Sequence, residues 1–411
     1  MGSFIMPQEI LKQIVLYAKI NKVDQEHTYT LLKDHYLDTY LVIFETSTII
    51  GKFYLAMNDN VDVLIPIFNR EVKITENNGF TKFKDAVFNV NIQMNIPMKA
   101  KPYGEGKPTY PMYYQPKING GRCIDELTEI TETTNMFSNG KKPTLSAKEG
   151  GLIPVQHLID QLKKVHDIFG HIIFDGEIYL YGHKCATING AARNPKNPIH
   201  KDLALVIFDV ILYGVSQFVR VNILNQVKRT MKLSTDVELE LNLKNNKIAK
   251  GDVFFLDTDT VYDEKQARRL AEIHIDAGYE GIVLREKEAV YRQGKHVGNL
   301  YKMKKALFGW FKIVDITPKP IDVMQPLFIL KNDKTNDLFE CNPTGDHATN
   351  AKYLSHKVEY IGKMVQVKYY ERTINELPFH ANVLPETMKN DVQWIDADAM
   401  NKAMGLNLED L

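Results

Sequence analysis

Cysteine is scarce: 411 residues hold three, Cys123, Cys185 and Cys341, far apart along the chain. That is too few for a disulfide framework, and no pair has zinc-ligand spacing. A disulfide-stapled secreted fold and a cysteine-built zinc module are both excluded, and a reducing compartment, cytoplasmic or nuclear, is expected. Long apolar runs are also missing. The most apolar stretch, Leu41 to Ile50, is short and carries Glu45, so no membrane span or membrane partner is expected. Net charge is absent too, because 51 basic residues balance 51 acidic ones. Any surface for nucleic acid must therefore come from local segregation of charge. There is no internal repeat and no low-complexity tract, which argues against a solenoid or a disordered chain.

What is present suits a globular chain of several domains: 44% hydrophobic and 25% charged residues over a length that allows two or three cores. Ile10, Ile14, Val15 and Ala18 recur at helical spacing, and the apolar runs that follow, to about residue 94, fit buried helix or strand equally. These features lead to the expectation of a separate, largely helical N-terminal domain over residues 1–96. Residues 96–111, rich in Pro, Gly and Lys, then suit a linker. Val155, Leu158, Ile159, Leu162, Val165 and Ile168 predict an amphipathic helix. His157 and His166 on it read as ordinary helix residues rather than metal ligands. Gly278 is a stop signal for a helix over 263–277. Beyond Phe311 short strands and turns predominate, as in a small five-stranded barrel.

The chemistry is concentrated around Gln115-Pro116-Lys117-Ile118-Asn119-Gly120-Gly121-Arg122. Proline stiffens the approach, two glycines allow a sharp turn and close approach to a ligand, and a lysine held between them can act as a nitrogen nucleophile once deprotonated. Arg122 adds a planar fork of donors. Downstream, Asp175 and Glu177 interrupt the apolar strand Ile172–Tyr179, and a carboxylate in such a run calls for a partner. Phe208 precedes Asp209 at the end of another apolar strand, and Glu280 opens Gly281–Arg285. Lys302 and Lys304 alternate on one strand and so share a face.

This order of motifs resembles that of covalent nucleotidyltransferases: ATP-dependent DNA ligases of viral or phage type, RNA ligases and mRNA capping enzymes. The Lys117 stretch is similar to Lys-x-Asp-Gly-x-Arg, with Asn119 where the family has aspartate. Asp175-Gly176-Glu177, Phe208, Glu280–Arg285 and Lys302-Met303-Lys304 are similar to the motifs that follow it. The resemblance implies an α+β fold: an ATP-grasp-like nucleotidyltransferase domain over 97–307, an OB-fold barrel over 308–395 and a tail over 396–411, with residues 1–96 in the place of a DNA-binding domain. It implies ATP and Mg²⁺, with AMP carried covalently on Lys117 and nicked double-stranded DNA as the partner of a monomer.

In that reading Lys117, Asn119, Lys302 and Lys304 are catalytic, with Lys302 and Lys304 lowering the pKa of Lys117. Gln115, Arg122, Glu177, Phe208, Glu280 and the same lysines bind the nucleotide, with Phe208 stacked on the purine. Glu177 and Glu280 hold metal, while Lys141, Arg193, Lys305, Lys312 and Lys368 meet nucleic acid. An RNA ligase is the alternative, as is a nick-binding protein weakened by the lost carboxylate.

Overall fold

The structure, a computed structural model, describes residues 8–87, 89–90, 96–105, 108–129, 141–148, 150–232, 234–235, 251–294, 296–373, 375–379 and 381–389. The chain divides into two compact units, Met1–Met303 and Lys304–Leu411. Among the described residues no helix is long and apolar enough to cross a membrane.

The chain opens as sheet. β1 (Gln8–Ile20), β2 (Val23–Asp34), β3 (Thr39–Thr46) and β4 (Phe53–Asn58) form an antiparallel series, with β5 (Asn89–Val90) parallel to the far edge of β1. The helix expected over 7–20 is therefore a strand. The spacing of Ile10, Ile14 and Ala18 fits a helix, but burial follows Leu16, Ala18 and Ile20, a period of two, while Ile10 and Leu11 are exposed. The turn decides it: Asn21 and Lys22 take φ of 50° and 68°, and Ile20 pairs with Val23. Two consecutive left-handed residues make the tight hairpin whose twist matches antiparallel strands. One helix, α1 (Val61–Asn77), packs on this sheet, capped by the Asn60 side chain, which accepts from Asp62 N–H.

The first 96 residues do not form a domain of their own. Leu16, Tyr29, Phe44 and Phe53 share one hydrophobic core with Leu158, Phe174, Leu205 and Val219. The rings of Phe53 and Phe169 lie 6.5 Å apart, Ile50 N–H donates to Phe169 O at 2.8 Å, and the Ser216 hydroxyl donates to buried Glu71 at 2.5 Å. A largely helical, separate N-terminal domain is thus corrected to a β-rich element fused to the unit that follows.

Two further sheets complete the first unit. Their strands are β6 (Lys99–Pro102), β7 (Met112–Lys117), β8 (Gly121–Glu129), β9 (Lys141–Ala147), β10 (Phe174–Tyr179), β11 (Ala204–Val210), β12 (Ser234–Thr235), β13 (Val253–Phe255), β14 (Asp259–Val261), β15 (Gly281–Glu286) and β16 (His296–Lys304). One sheet runs β12-β13-β11-β10-β8-β9 and the other β14-β7-β15-β16-β6. Helices α2 (Gln156–Phe169), α3 (Cys185–Arg193), α4 (Gln217–Met231) and α5 (Glu264–Asp276) pack around them. The expected amphipathic helix and the helix before Gly278 are both present. His157 and His166 make structural bonds: His157 Nε2 meets Leu203 O at 2.9 Å, and His166 Nε2 meets buried Asp125 at 2.9 Å.

The second unit is the expected five-stranded closed barrel. β17 (Leu307–Pro318), β18 (Pro326–Lys331), β19 (Leu338–Pro343), β20 (Met364–Tyr369) and the last strand, Asn382–Lys389, close in the order β17-β18-β19-last-β20, and α6 (His347–Ser355) lies between β19 and β20 in sequence. Phe311, Ile313, Phe328, Leu330, Val365 and Val367 fill it. The expected tail, 396–411, lies outside the described residues.

His27 carries a prediction. It is fully buried, stacked on Phe80 at 4.2 Å, and among the described residues neither ring nitrogen has a hydrogen-bond partner. Burial alone lowers its pKa from 6.5 to about 3. The unfolded chain takes up a proton below about pH 6.5 that the folded chain refuses until about pH 3, so stability falls on acidification by up to about 1.4 kcal/mol per pH unit in that window. His27→Leu should remove that component. Denaturant unfolding between pH 6 and 4 should show a flatter pH dependence for the variant, and parallel curves would contradict it.

Candidate active site

Strand alternation sorts the facing sheets. On β7, Met112 and Tyr114 pack with Ile282, Leu284, Tyr301 and Met303 on one side, so Gln115 and Lys117 project to the other. The same alternation turns Val283 and Arg285 on β15, and Lys302 on β16, to that side. In the opposite sheet, Phe174 and Ile178 enter the main core while Asp175, Glu177 and Tyr179 face away from it, and Val206 and Phe208 join Tyr179 in a smaller cluster with Ile118 and Tyr279. The cleft between the sheets thus collects Lys117, Gln115, Arg122, Glu177, Phe208 and Arg285.

Lys117 ends β7, with Nζ 2.7 Å from Glu280 and both side chains 20% exposed. The backbone repeats that link, since Glu280 N–H donates to Lys117 O at 2.9 Å. The following turn is closed by Glu177, whose Oε1 accepts Gly120 N–H at 2.9 Å. A Cβ at Gly120 would lie 2.1 Å from Ile178 O, so only glycine lets the turn come this close to β10. Burial pulls the Lys117 pKa down, but Glu177 and then Glu280 more than offset it, and the net displacement is upward. The expected lowering by Lys302 and Lys304 is therefore not what governs this lysine; carboxylates hold its proton on. Glu177 is itself displaced upward by burial, against the pull of Lys117 and Arg122.

The remaining predicted residues fall as follows. Arg122 clasps Asp175 through two bonds of 2.6 and 2.5 Å and lies 4.6 Å from the Phe208 ring centroid. Phe208, 7% exposed, also has Arg285 at 5.5 Å. Both ends of the Gln115 amide are engaged: Nε2 donates to Phe208 O at 3.1 Å and Thr258 Oγ1 at 2.9 Å, and Oε1 accepts from Arg285 at 2.7 Å. Asn119 is half-buried on the turn, and Lys302 is half-buried on β16 beside Pro102 of β6. Lys304 is the first residue of the second unit, 5.2 Å from the Tyr370 ring.

Of the residues expected at nucleic acid, Arg193 is exposed at the end of α3 in the first unit. Lys305, Lys312 and Lys368 belong to the second, where Lys368 lies 6.0 Å from the Tyr370 ring. The Lys141 side chain lies outside the described residues. Among the described residues no group of three or more His, Cys, Asp or Glu side chains could hold a metal ion.

Sequence reasoning missed the polar network beneath the site. Arg220, fully buried, donates to Asp209 at 2.9 Å and to Val215 O and Ala289 O at 3.0 and 3.2 Å. Arg285 stands 3.7 Å from the same Asp209, and Tyr291 donates to Asp175 at 2.5 Å. The available signal was a carboxylate in each of two apolar strands, but their arginine partners come from other elements.

Residues 97–304 match the family model of the ATP dependent DNA ligase domain. A DNA ligase of Methanococcus aeolicus is 24% identical over 106 residues, which is 26% of this chain and 17% of that relative. The solved structure Pmar-Lig_PreS3 superposes with a TM-score of 0.54 at 14% identity over 71% of this chain and 68% of its own. A structure from a structure-function analysis of Lig E DNA ligases, described as DNA binding with a minimal scaffold, gives 0.52 at 17% identity over 72% of this chain and all of its own. These likenesses agree on the fold.

Removing one partner from the buried network should cost far more than removing both. Arg220→Met leaves Asp209 without its closest cation and should destabilise by about 3–5 kcal/mol, whereas Arg220→Met with Asp209→Leu should recover a large part of that. Urea unfolding of both variants checks this. A double variant no more stable than the single one would show that the network is not governed by desolvation.

Proposed function

The chain belongs to the ATP-dependent DNA ligase domain family, and from that premise we propose that it is an ATP-dependent DNA ligase that seals nicks in double-stranded DNA through an AMP carried on Lys117. The observation that carries the proposal is the setting of Lys117 at the end of β7, between Glu177 and Glu280, inside the segment the family model matches. Neutral Lys117 Nζ attacks the α-phosphorus of ATP; the N–P bond forms as the bond to pyrophosphate breaks, and the lysine proton goes to solvent. A 5′-phosphate oxygen then attacks the same phosphorus as the N–P bond breaks and the lysine takes a proton back, and a 3′-hydroxyl finally attacks the 5′-phosphate phosphorus, losing its proton to solvent as AMP departs. Arg122, fixed by Asp175, keeps a planar donor edge beside Phe208, which supports a place for the nucleotide along that wall. The upward-displaced Lys117 defines what must happen first. Any neutralisation of Glu177 and Glu280 leaves burial dominant, and burial favours the free amine.

Two carboxylates with phosphate oxygens suit Mg²⁺, which completes its octahedron with water. Glu177 and Glu280 would hold it, and when bound it supplies charge neutralisation at the phosphates.

Lys117→Ala should abolish the covalent label from α-labelled ATP in a fold that melts as the wild type does. Because the free protein holds the Lys117 proton tightly, the wild-type label should form faster as pH rises from 6 to 9, approaching about tenfold per unit. Glu280→Gln removes a charge that raises the lysine pKa, so the rising limb should move to lower pH whatever happens to the maximum. A label that persists in Lys117→Ala, or a limb that stays put in Glu280→Gln, would defeat the assignment. Nicked RNA sealed in preference to nicked DNA would favour an RNA ligase.

Asn119 offers a finer test of the same turn. An amide can accept a bond but carries no charge, and a charged acceptor is worth about 1–1.5 kcal/mol more. Asn119→Asp should therefore speed at least one step about tenfold if that bond tightens in the transition state. Fresh Asn119 protein matching the Asp variant in adenylation and sealing would mean the carboxylate is dispensable here. Wild-type protein that binds nicks and takes no label would be a binder rather than an enzyme.

A further inference from the structure

The turn that follows Lys117 is held from a second side by α3. Cys185 Sγ donates to Gly120 O at 3.0 Å, and Asn189 Nδ2 donates to Cys185 Sγ at 3.2 Å. The two side chains are four residues apart and therefore stack on one face of the helix. Asn189 also bears directly on the second glycine, since a Cβ at Gly121 would lie 2.2 Å from Asn189 Oδ1. Gly120 is thus pinned at both of its peptide groups: Glu177 takes its N–H at 2.9 Å and Cys185 donates to its carbonyl. Cys185 is one of three cysteines, and unlike Cys123 and Cys341 it is not buried in a core.

The geometry points to Cys185 and Asn189 as positioning residues for the adenylation step, a clamp on the Gly120-Gly121 turn that fixes where Lys117 presents its amine. The inference rests on the ligase reading above. Neither residue needs to touch ATP. Gly120 lies three residues past Lys117, so freeing its carbonyl loosens the turn that presents the lysine while the Gly120 N–H stays bonded to Glu177. In-line displacement at phosphorus is sensitive to such play, and a misplacement of about 1 Å can cost on the order of a hundredfold. The later transfer to a 5′-phosphate and the sealing of a pre-adenylated nick do not use a Lys117 amine as nucleophile. A positioning role in the first step therefore makes a prediction that a merely structural role does not.

The test uses the full chain and three variants, Cys185→Ala, Cys185→Ser and Asn189→Ala. Single-turnover self-adenylation with α-labelled ATP is measured beside ATP affinity, thermal melting and sealing of a synthetic pre-adenylated nicked DNA. The clamp predicts that Cys185→Ala and Asn189→Ala adenylate about tenfold or more slowly at saturating ATP, with ATP affinity, melting and pre-adenylated sealing within about twofold of wild type. Cys185→Ser, which keeps a donor at that position, should regain most of the lost rate. Adenylation by Cys185→Ala at the wild-type rate overturns the clamp, and so does a loss that falls equally on melting and on sealing. Failure of serine to restore the rate overturns the hydrogen bond as its basis. Wild-type protein that acquires no label defeats the ligase reading instead, and the two failures are therefore distinguishable.

Discussion

The structure depends on charges taken out of water. Asp175 and Asp209 each sit at 1% exposure near one end of an apolar strand, and each is held by guanidinium groups from elsewhere: Arg122 for the first, Arg220 and Arg285 for the second. An isolated carboxylate at that depth would protonate or unfold the strand that carries it. Pairing it restricts the fold: Arg122 comes from the neighbouring strand β8 and Arg220 from α4, while Arg285 comes from β15 of the other sheet and can reach only if the two sheets face one another. Arg220 also satisfies the carbonyls of Val215 and Ala289, so one side chain ties two loops to the strand above them. Such a network adds less stability than hydrophobic packing of the same volume would. It fixes which strand faces which, and the site is built on that fixed frame.

The N-terminal sheet takes part in the same frame from the outside. Its inner face, with Leu16, Tyr29, Phe44 and Phe53, merges with the core beneath β10 and β11, and Glu71 reaches Ser216 at the N-cap of α4, the helix that bears Arg220. The chain of contacts runs from a hairpin at residue 21 to the strand that carries Phe208. An element of this kind sets the position of α4 as much as it forms a surface of its own. Folding the sheet and folding the cleft are then one cooperative event, since neither has a complete core alone.

The motifs around Lys117 were easier to pick out in the sequence than the N-terminal strands, and there is a physical reason. The candidate motifs are local: Lys117 with its two glycines, Glu177 in its strand and Glu280 before β15 each stand out against apolar neighbours, and the structure gathers all three at one turn. The barrel was legible because its apolar strands are separated by stretches rich in turn residues. The N-terminal strands were not, since Ile10, Ile14 and Ala18 satisfy helical and strand periods together, and the deciding feature was the left-handed pair Asn21-Lys22, in which asparagine favours that conformation but lysine does not. The partners of Asp175 and Asp209 were hidden for another reason. Arg122 is 53 residues from Asp175 in the chain and Arg220 lies on a helix that reads as ordinary surface, so only tertiary structure brings them to their carboxylates. Gln115 shows what its place in the sequence left unsaid: two residues before Lys117, it joins Phe208 O, Thr258 and Arg285 through both ends of its amide.

The setting of Lys117 poses a conflict that the proposed chemistry must resolve. A nucleophilic amine needs a pKa near the working pH, and burial in the cleft moves it that way; Glu177 and Glu280 move it further in the opposite sense. Each unit of displacement is about 1.4 kcal/mol that must be recovered before attack. A permanently free amine in an exposed turn would react indiscriminately, whereas an amine held by two carboxylates reacts only when something else engages them. Phosphate oxygens alone cannot do this, because added negative charge tightens the hold on the proton. In the proposed chemistry a cation engaging Glu177 and Glu280 would relieve that hold and leave burial to favour the free amine. In the free protein, then, the same two carboxylates that hold Lys117 in place also hold its proton on.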